Sequence, residues 1–291
     1  MSALEVLDTI LQGLLLGGLY AMFAAGLSLS FGVMRLVNIA HGDFIVLAAY
    51  VALVAVKALG MPALLSFIVV VPVLAALGYL LQRVVLKPIM GNDVMPPLLV
   101  TFGLSVILQN LLLEIFSADS QRLDAGAIET ASISLGAGIA IGWFPLIILC
   151  CSVAIIASLE ALFAWTRIGR AFRAVSDDQR VSQLMGIDNQ RVFAVALGLA
   201  LGIGAIAGVF LAIGSIFSPT LGPSRLLFAF EAVIIGGMGS FWGTLAGALL
   251  LGVTQQIGFR LDPGWGIWFG HIVFLALLVV RPQGLFPKTR G

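Results

Sequence analysis

Long stretches of apolar residues without charge alternate with short polar stretches along almost the whole chain. An apolar helix needs about 20 residues to cross the hydrocarbon core of a bilayer. Charged residues delimit several stretches of that size, and each is predicted to be a membrane span. The predicted spans are Thr9–Met34, Ile39–Val56, Ala58–Gln82, Val94–Leu113, Trp143–Thr166, Val192–Phe217 and Pro263–Val280.

The region Leu226–Phe259 is 34 residues long, too long for one helix without a bend, and contains a cluster of glycines at 236–240. Glycine and serine weaken a helix. We therefore predict a short segment over Leu226–Met238, a turn, and a full span over Gly243–Phe259. The chain would then cross the membrane nine times, or eight times if this stretch forms a single span.

The basic residues favour nine crossings. With an outer N-terminus, most of the 15 Lys and Arg residues then fall in inner loops, as the positive-inside rule requires. The outer loops would hold Lys57, Arg122, Arg225 and Arg260. Eight crossings would place the basic C-terminal tail outside. The sequence therefore predicts an outer N-terminus and a cytoplasmic C-terminus.

Composition agrees with a membrane protein. Hydrophobic residues make up 60% of the chain and charged residues 10%, and the mean hydropathy is +1.13. A soluble domain carries about 25% charged residues. We predict an all-α, polytopic transmembrane helical bundle that forms one domain over residues 1–291 and contacts membrane lipid. The net charge of +1 and the lack of a basic patch argue against a nucleic-acid partner.

Many of the 34 glycines lie four residues apart. Such spacing places small residues on one helix face, where the backbones of two membrane helices approach closely. Gly13–Gly17 and Gly198–Gly202 are two such pairs. A further set is assigned to helix packing or to a hinge: Gly236, Gly237, Gly239, Gly243 and Gly247.

The sequence carries no pattern typical of an enzyme. Its lysines are Lys57, Lys87 and Lys288, and none follows a phosphate-binding glycine motif. The 2 histidines form no known metal or catalytic motif. We therefore predict no catalytic residue, no metal and no cofactor, and an intramembrane enzyme is the least favoured class.

Polar residues cluster where the first two spans meet. Asn38, His41 and Asp43 lie close together around Gly42. Polar groups at membrane depth are costly and usually face the bundle interior or a water-filled cavity. Gly42 would permit a broken helix, a feature of many transport pathways. The alternative is an interfacial turn in the headgroup layer.

Other polar residues within the predicted spans are also assigned to the translocation pathway. For each of them, a simple hydrogen bond between helices is the alternative. They are Thr101, Gln109, Asn110 and Glu231.

The segment Arg167–Arg191 contains five Arg and three Asp residues between two long spans. Asp177 and Asp178 suit the start of a helix, where the dipole favours negative charge. Gly186 suits its end. The sequence therefore predicts a short helix at the cytoplasmic surface, unless this is a solvated loop that only sets the topology.

Four motifs, in order along the chain, carry a resemblance to a known family: Gly32–Phe44, Thr166–Ala174 continuing to Ile187, Gly236–Gly243, and Arg281–Phe286. They resemble the N-terminal signature, the ATPase-coupling loop, the glycine-rich turn and the C-terminal end of the permeases of branched-chain amino-acid ABC importers, the LivH type. The resemblance covers most of the chain. It implies a type II-like ABC importer permease.

The resemblance implies a bacterial inner-membrane complex. Its other parts would be a second homologous permease, two ATP-binding cassette subunits, and a periplasmic or otherwise extracytoplasmic substrate-binding protein. The coupling loop would span about 167–191. The residues assigned to coupling are Arg167, Gly169, Arg170, Arg173, Asp177 and Gly186.

The implied cargo is a branched-chain or other neutral amino acid. Urea, short amides and aromatic acids are alternatives within the same importer class. An ion-coupled secondary transporter is a further alternative, but it would need a charged group in mid-membrane. The predicted spans place the acidic residues near span ends.

Overall fold

The computed structural model describes residues 3–90, 95–136 and 139–286, and this part of the chain is mostly helical. A short 3₁₀ turn precedes α3, and π and 3₁₀ turns follow it. The helices are α1 (Ala3–Met34), α2 (His41–Leu59), α3 (Phe67–Leu81), α4 (Met95–Phe116), α5 (Ala127–Thr130), α6 (Trp143–Trp165), α7 (Arg167–Asp177), α8 (Gln179–Leu184), α9 (Asn189–Gly214), α10 (Gly222–Gly236), α11 (Phe241–Leu261) and α12 (Gly266–Val280).

Among the described residues, 6 helices are long and apolar enough to cross a membrane. These are α1, α2, α3 with its flanking turns, α4, α6 and α9. Helices α10 and α11 together pass the same test but are bent by 117° at the break between them, and α12 is a shorter apolar helix. The predicted bundle of apolar helices is confirmed, whereas eight or nine crossings stay a prediction.

Helices α1 and α9 form the buried centre of the bundle. Helix α1 packs antiparallel along α11, because a Cβ atom on Gly13 would lie 2.5 Å from the Cα atom of Val253 and one on Gly17 would lie 2.6 Å from that of Leu249. No side chain fits in these gaps. The predicted glycine pair at 13 and 17 is therefore a helix-packing stripe.

Helix α9 holds α2 and α3 through its own glycines. A Cβ atom on Gly198 would lie 3.0 Å from the carbonyl oxygen of Ala75 in α3. One on Gly208 would lie 2.6 Å from the Cβ atom of Ala48 in α2. The outer faces of α3, α4 and α6 carry exposed apolar side chains such as Ile68 and Ile107, which is the surface that lipid would cover.

A small β-structure departs from the all-α prediction. Strand β1 (Ser132–Gly136) pairs antiparallel with β2 (Ile139–Gly142), with Ser132 opposite Gly142. The side-chain amide of Gln12 in α1 donates to the carbonyl of Ala140 at 3.0 Å. Ile133 and Leu135 in β1, and Ile139 and Ile141 in β2, stand at alternate positions, and such period-two patterning favours β-structure.

Arg225 lies in the first turn of α10, not in an outer loop as the topology argument assumed. Its guanidinium carbon lies 5.8 Å from the centre of the Phe23 ring, in the middle of α1. The aromatic ring provides a cation–π contact for a charge that is only partly exposed to solvent.

Candidate functional site

The chain turns back into the bundle between α1 and α2. We call residues 35–40 the re-entrant segment. His41, the first residue of α2, contacts the carbonyl oxygen of Phe23 through Nε2 at 3.0 Å. Phe23 lies about three turns before the end of α1. Helix α2 therefore starts within the bundle, which contradicts an interfacial turn for this part of the chain.

Hydrogen bonds from within the bundle hold the re-entrant segment. The Asn38 side-chain oxygen accepts from the backbone N–H of Ala40 at 3.1 Å. The Thr101 hydroxyl, on α4, accepts from the backbone N–H of Ile39 at 3.3 Å. Asn38 and Thr101 are each 1% exposed. These bonds supply partners to backbone that lacks helical ones.

Asp43 is linked to α4 by a chain of hydrogen bonds. Its Oδ2 accepts from the Ser105 hydroxyl at 2.5 Å, and the Gln109 side-chain amide donates to that hydroxyl at 3.1 Å. Asp43 is 1% exposed. Sequence reasoning missed Ser105, although Thr101, Ser105 and Gln109 recur every four residues and so share one helix face.

The N-terminus of α10 meets Asp43. A Cβ atom on Gly42 would overlap the carbonyl oxygen of Gly222, the first residue of α10, and one on Gly222 would overlap Oδ1 of Asp43. Among the residues that the structure describes, no side chain caps α10. A carboxylate beside a helix N-terminus is stabilised by the helix dipole. Gly222 was not identified from the sequence, where it is one glycine among many.

These residues form what we call the polar centre, defined as Asn38, His41, Asp43, Thr101, Ser105 and Gln109. Within the described chain, Asn38 Nδ2, His41 Nδ1 and Asp43 Oδ1 are buried without a hydrogen-bond partner. Buried polar groups normally have partners. Three buried polar atoms without hydrogen-bond partners, all near the break between α1 and α2, therefore indicate a functional site.

An apolar pocket adjoins the polar centre. Its volume is about 250 Å³. Val37 supplies one wall from the re-entrant segment, and α10 supplies the other through Pro223, Leu226, Leu227 and Phe230. Val37 directly precedes Asn38, and Pro223 directly follows Gly222. The pocket therefore lies where the re-entrant segment meets the first turns of α10.

Glu231 lies in a separate cluster. Its Oε1 is 2.5 Å from Nδ1 of His271 on α12. Nearby, the Tyr20 hydroxyl donates to the Gln255 side-chain oxygen at 2.6 Å, and Phe228 stacks between the Tyr20 and His271 rings. Sequence reasoning missed His271 as a partner because it lies 40 residues away.

Two further expectations need correction. Asn110 is exposed, and its amide donates to the carbonyl of Val106 one turn earlier in its own helix at 2.8 Å. The structure therefore places Asn110 outside the polar centre. The acidic residues Asp43 and Glu231 are buried within the bundle, whereas the predicted spans put acidic residues near span ends.

The basic segment after α6 forms two helices rather than one. Asp178, not Asp177, begins the second helix: its side chain accepts from the N–H groups of Arg180 and Val181 at 2.7 and 3.0 Å. These bonds hold the pKa of Asp178 below its ordinary value. Asp177 instead ends α7. Gly186 follows the end of α8 with a φ of 81°, as predicted.

Helix α7 was missed as an element of its own. Gly169, Phe172 and Val175 are buried at helical spacing, and this spacing was the signal that could have found it. Gly169 has no room for a side chain, because a Cβ atom would overlap the carbonyl of Leu162. The other residues assigned to coupling on α7 point away and are exposed: Arg167, Arg170, Arg173 and Asp177.

Helix α8 presents apolar side chains at its surface. Leu184 is 87% exposed and Met185 is 78% exposed, and Val181 is also exposed. Exposed apolar residues that cluster on one surface are typical of a binding surface. We call these three residues the α8 apolar surface.

The glycine turn joins α10 to α11 at close range. Gly236 and Gly243 face each other across the turn, and neither has space for a Cβ atom. Gly247 packs against the carbonyl of Ala232. Gly237 and Gly239 have φ values of 101° and 85°, a region that favours glycine. The structure therefore places the predicted packing glycines together.

No group of three His, Cys, Asp or Glu residues that could hold a metal ion occurs in residues 3–90, 95–136 and 139–286.

Comparison with known proteins gives the family. The family model described as "Branched-chain amino acid transport system / permease component" matches residues 9–281. The chain is 28% identical to the high-affinity branched-chain amino acid transport system permease protein BraD of Pseudomonas aeruginosa, over 97% of this chain and 96% of that protein. It is 26% identical to the corresponding permease protein LivH of Salmonella typhimurium, over 98% and 96% of the two chains.

A solved structure shares the fold. PsaBC from Streptococcus pneumoniae, in complex with Fab, aligns with a TM-score of 0.50 at 15% identity and covers 97% of each chain. At this identity the likeness concerns the helical fold alone.

Proposed function

The chain belongs to the family of branched-chain amino acid transport system permease components, and on that premise we propose that it is the membrane-spanning permease subunit of an ABC importer. Its cargo is a branched-chain or other neutral amino acid. The observation that carries this proposal is the polar centre with the adjoining apolar pocket, at the point where two helices begin inside the bundle.

The chemistry of this site suits a zwitterion with an aliphatic side chain. The unpartnered Oδ1 of Asp43 can accept from an ammonium group. The N-termini of α2 and α10, which meet here, favour a carboxylate. The pocket between Val37 and Leu226 is apolar and suits a branched side chain. These contacts are few, and a conduit must release what it binds.

The pathway therefore includes Asn38, His41, Gly42, Asp43, Thr101 and Gln109. Glu231 is included as a neighbour, because Leu227 of the pocket lies one turn before it on the same face of α10. The buried carboxylates would also serve an ion-coupled transporter. A dependence of uptake on ATP separates the two mechanisms.

We further propose nine crossings in a bacterial inner membrane, with the N-terminus outside and the C-terminus in the cytoplasm. Phe217, after α9, pairs with Gln121 on the side of the β-hairpin. Helix α10 begins at Asp43 and ends at the glycine turn near Gly32. Residues 215–236 thus complete one crossing, part of it extended.

A reporter fused after Gly291 tests this topology. Because nine crossings put the tail on the side opposite the N-terminus, we expect a cytoplasmic reporter to be active and a periplasmic one to be silent. The reverse result would support eight crossings.

Residues 167–191 are proposed as the cytoplasmic coupling loop of a single permease domain, residues 1–291. The α8 apolar surface would dock into a groove of an ATP-binding cassette subunit, flanked by the exposed arginines of α7. Closure of the two ATPase subunits would then displace α7 and α8 and reorient the pathway, as alternating access requires. A second permease completes the pathway, and an extracytoplasmic binding protein delivers the cargo.

The test is uptake of leucine by the complex, reconstituted with its second permease, ATPase subunits and binding protein. We expect accumulation that needs ATP and the ATPase subunits, because this chain carries no ATP-binding motif. Accumulation by the permeases alone would contradict the proposal. A ligand screen on the binding protein separates amino acids from urea, amides and aromatic acids.

The variant that tests the coupling loop in the same assay is Gly186→Trp. No atom of the residues that the structure describes lies within 4 Å of a Cβ atom at position 186, although the backbone there favours glycine. The bulk of the indole therefore projects towards the docked ATPase. We expect ATP hydrolysis to continue while uptake per ATP falls by about 10-fold, the change that a weakening of docking by about 1.4 kcal/mol makes in a dissociation constant. Normal uptake per ATP would remove Gly186 from the coupling loop.

A further inference from the structure

The end of α7 is joined to the end of α1 by two reciprocal hydrogen bonds. The Ser176 hydroxyl donates to the carbonyl of Gly32 at 2.7 Å. The Arg35 guanidinium donates through Nη2 to the carbonyl of Ser176 at 2.8 Å. We call Gly32, Arg35 and Ser176 the clasp. Its two sides lie more than 140 residues apart in sequence.

Each bond satisfies a group that its own helix leaves without a partner. The last four carbonyls of a helix have no intrahelical donor. Gly32 is in the last turn of α1, and Ser176 is in the last turn of α7. The carbonyl of Gly32 receives the hydroxyl, and that of Ser176 receives the guanidinium. The two helix ends therefore cap each other.

The clasp acts on a backbone position with little freedom. Arg35 has a φ of 53°, which is uncommon for any residue other than glycine. Unfavourable backbone conformations persist where the surroundings enforce them, and they concentrate at functional sites. Arg35 is also the first residue of the re-entrant segment, which continues to Asn38 and then to α2. A displacement of α7 is thus delivered to the residue where that segment begins.

We propose that Arg35 and Ser176 are positioning residues that transmit the displacement of α7 to the re-entrant segment and through it to Asp43. The inference rests on the proposed function, in which residues 167–191 receive the motion of the ATPase subunits. It adds the contact through which that motion reaches the pathway. Neither Arg35 nor Ser176 belongs to the polar centre, so both would act through it.

The test uses Ser176→Ala and Arg35→Gly in the complete reconstituted complex. Ser176→Ala removes the hydroxyl. Arg35→Gly removes the guanidinium, and glycine adopts the left-handed backbone without strain. Each variant loses one hydrogen bond, so we expect moles of substrate transported per ATP to fall by about 5-fold. The amount of substrate transported per ATP should fall further in the double variant. The ATPase rate stimulated by loaded binding protein should stay near the wild-type rate.

Two matched variants control for structural effects. The Ser158 hydroxyl donates at 2.7 Å to the carbonyl of Ile155 in its own helix, so Ser158→Ala removes a hydroxyl without joining or separating two elements. Ser176→Thr keeps the hydroxyl. Both should transport as much substrate per ATP as the wild type.

The outcomes separate the clasp from the function. A merely structural role would lower the amount and thermal stability of the assembled complex but leave substrate per ATP unchanged, and that result would overturn the clasp alone. Wild-type accumulation that continues without ATPase subunits would overturn the proposed function and the clasp with it. Loss of substrate per ATP in the clasp variants, with both controls unaffected, is the expected result.

Discussion

Gly42→Ala is expected to lower uptake by about 10- to 100-fold. A Cβ atom at position 42 would overlap the carbonyl oxygen of Gly222 and lie 2.8 Å from the backbone nitrogen of Leu226. Backbone atoms cannot rotate aside, so α2 and α10 must separate. Overpacking of this kind costs about 1–3 kcal/mol. The measurement is initial uptake per assembled complex in proteoliposomes.

The separation would also disturb the chemistry of the polar centre. Asp43 follows Gly42 directly, and its carboxylate lies against Gly222 at the N-terminus of α10. A shift of α10 would weaken the attraction between the carboxylate and the helix dipole, which acts only within the first turn. It would also change the pocket, because Leu226 and Phe230 belong to the same helix.

Gly103→Ala is the matched control for this prediction. Gly103 also lies within a helix, α4, but no atom of the described part of the chain lies within 4 Å of a Cβ atom placed there. Alanine is also the better helix former. We expect uptake at the wild-type rate. If Gly42→Ala transported as well as Gly103→Ala, close contact between α2 and α10 would not be required for function.

The sequence predicted the elements whose signals are local. The apolar stretches found the long helices to within a few residues at most ends, because about 20 uncharged residues have few alternatives to a membrane span. The cluster of Asn38, His41 and Asp43 identified one side of the polar centre. Glycines four residues apart identified the stripe that packs α1 on α11.

The sequence did not predict features that depend on distant residues. Ser105 and Gly222 are ordinary by themselves and gain their roles from the approach of α4 and α10 to Asp43. Arg225 was assigned to an outer loop because charged residues were used to delimit spans, a rule that fails when a charged residue lies within a helix. His271 and Glu231 meet only after α10 and α12 have packed.

In residues 167–191 too, the sequence predicted local features but not those that depend on contacts with other helices. The charges of this segment predicted a surface location, and Asp178 and Gly186 marked the two ends of α8. Helix α7 was missed because its buried positions, at Gly169, Phe172 and Val175, depend on α6 and α1 as neighbours. The arginines of α7 were used to mark the end of the preceding span and the surface location, so its buried positions were not considered.

Asp43→Asn is expected to lower uptake by about 10-fold while the complex assembles normally. The amide oxygen of asparagine can still accept from the Ser105 hydroxyl, so the hydrogen bond from α4 is kept. The negative charge that would attract an ammonium group is lost, and with it a charged hydrogen bond of about 1.5–3 kcal/mol. The measurement is uptake of leucine per ATP at saturating binding protein.

Comparison with Asp43→Ala and Asn110→Ala separates charge from structure. Alanine at position 43 leaves the buried Ser105 hydroxyl without its acceptor, at a cost of about 1–3 kcal/mol, so both assembly and uptake should fall. Asn110 is exposed and its side-chain amide donates to the carbonyl of Val106 in its own helix, so Asn110→Ala should change neither assembly nor uptake. Wild-type uptake by Asp43→Asn would mean that Asp43 serves the packing of α2 against α4. A deficit confined to uptake would assign its charge to the cargo, because the hydrogen bond that fixes its position is the same in both side chains.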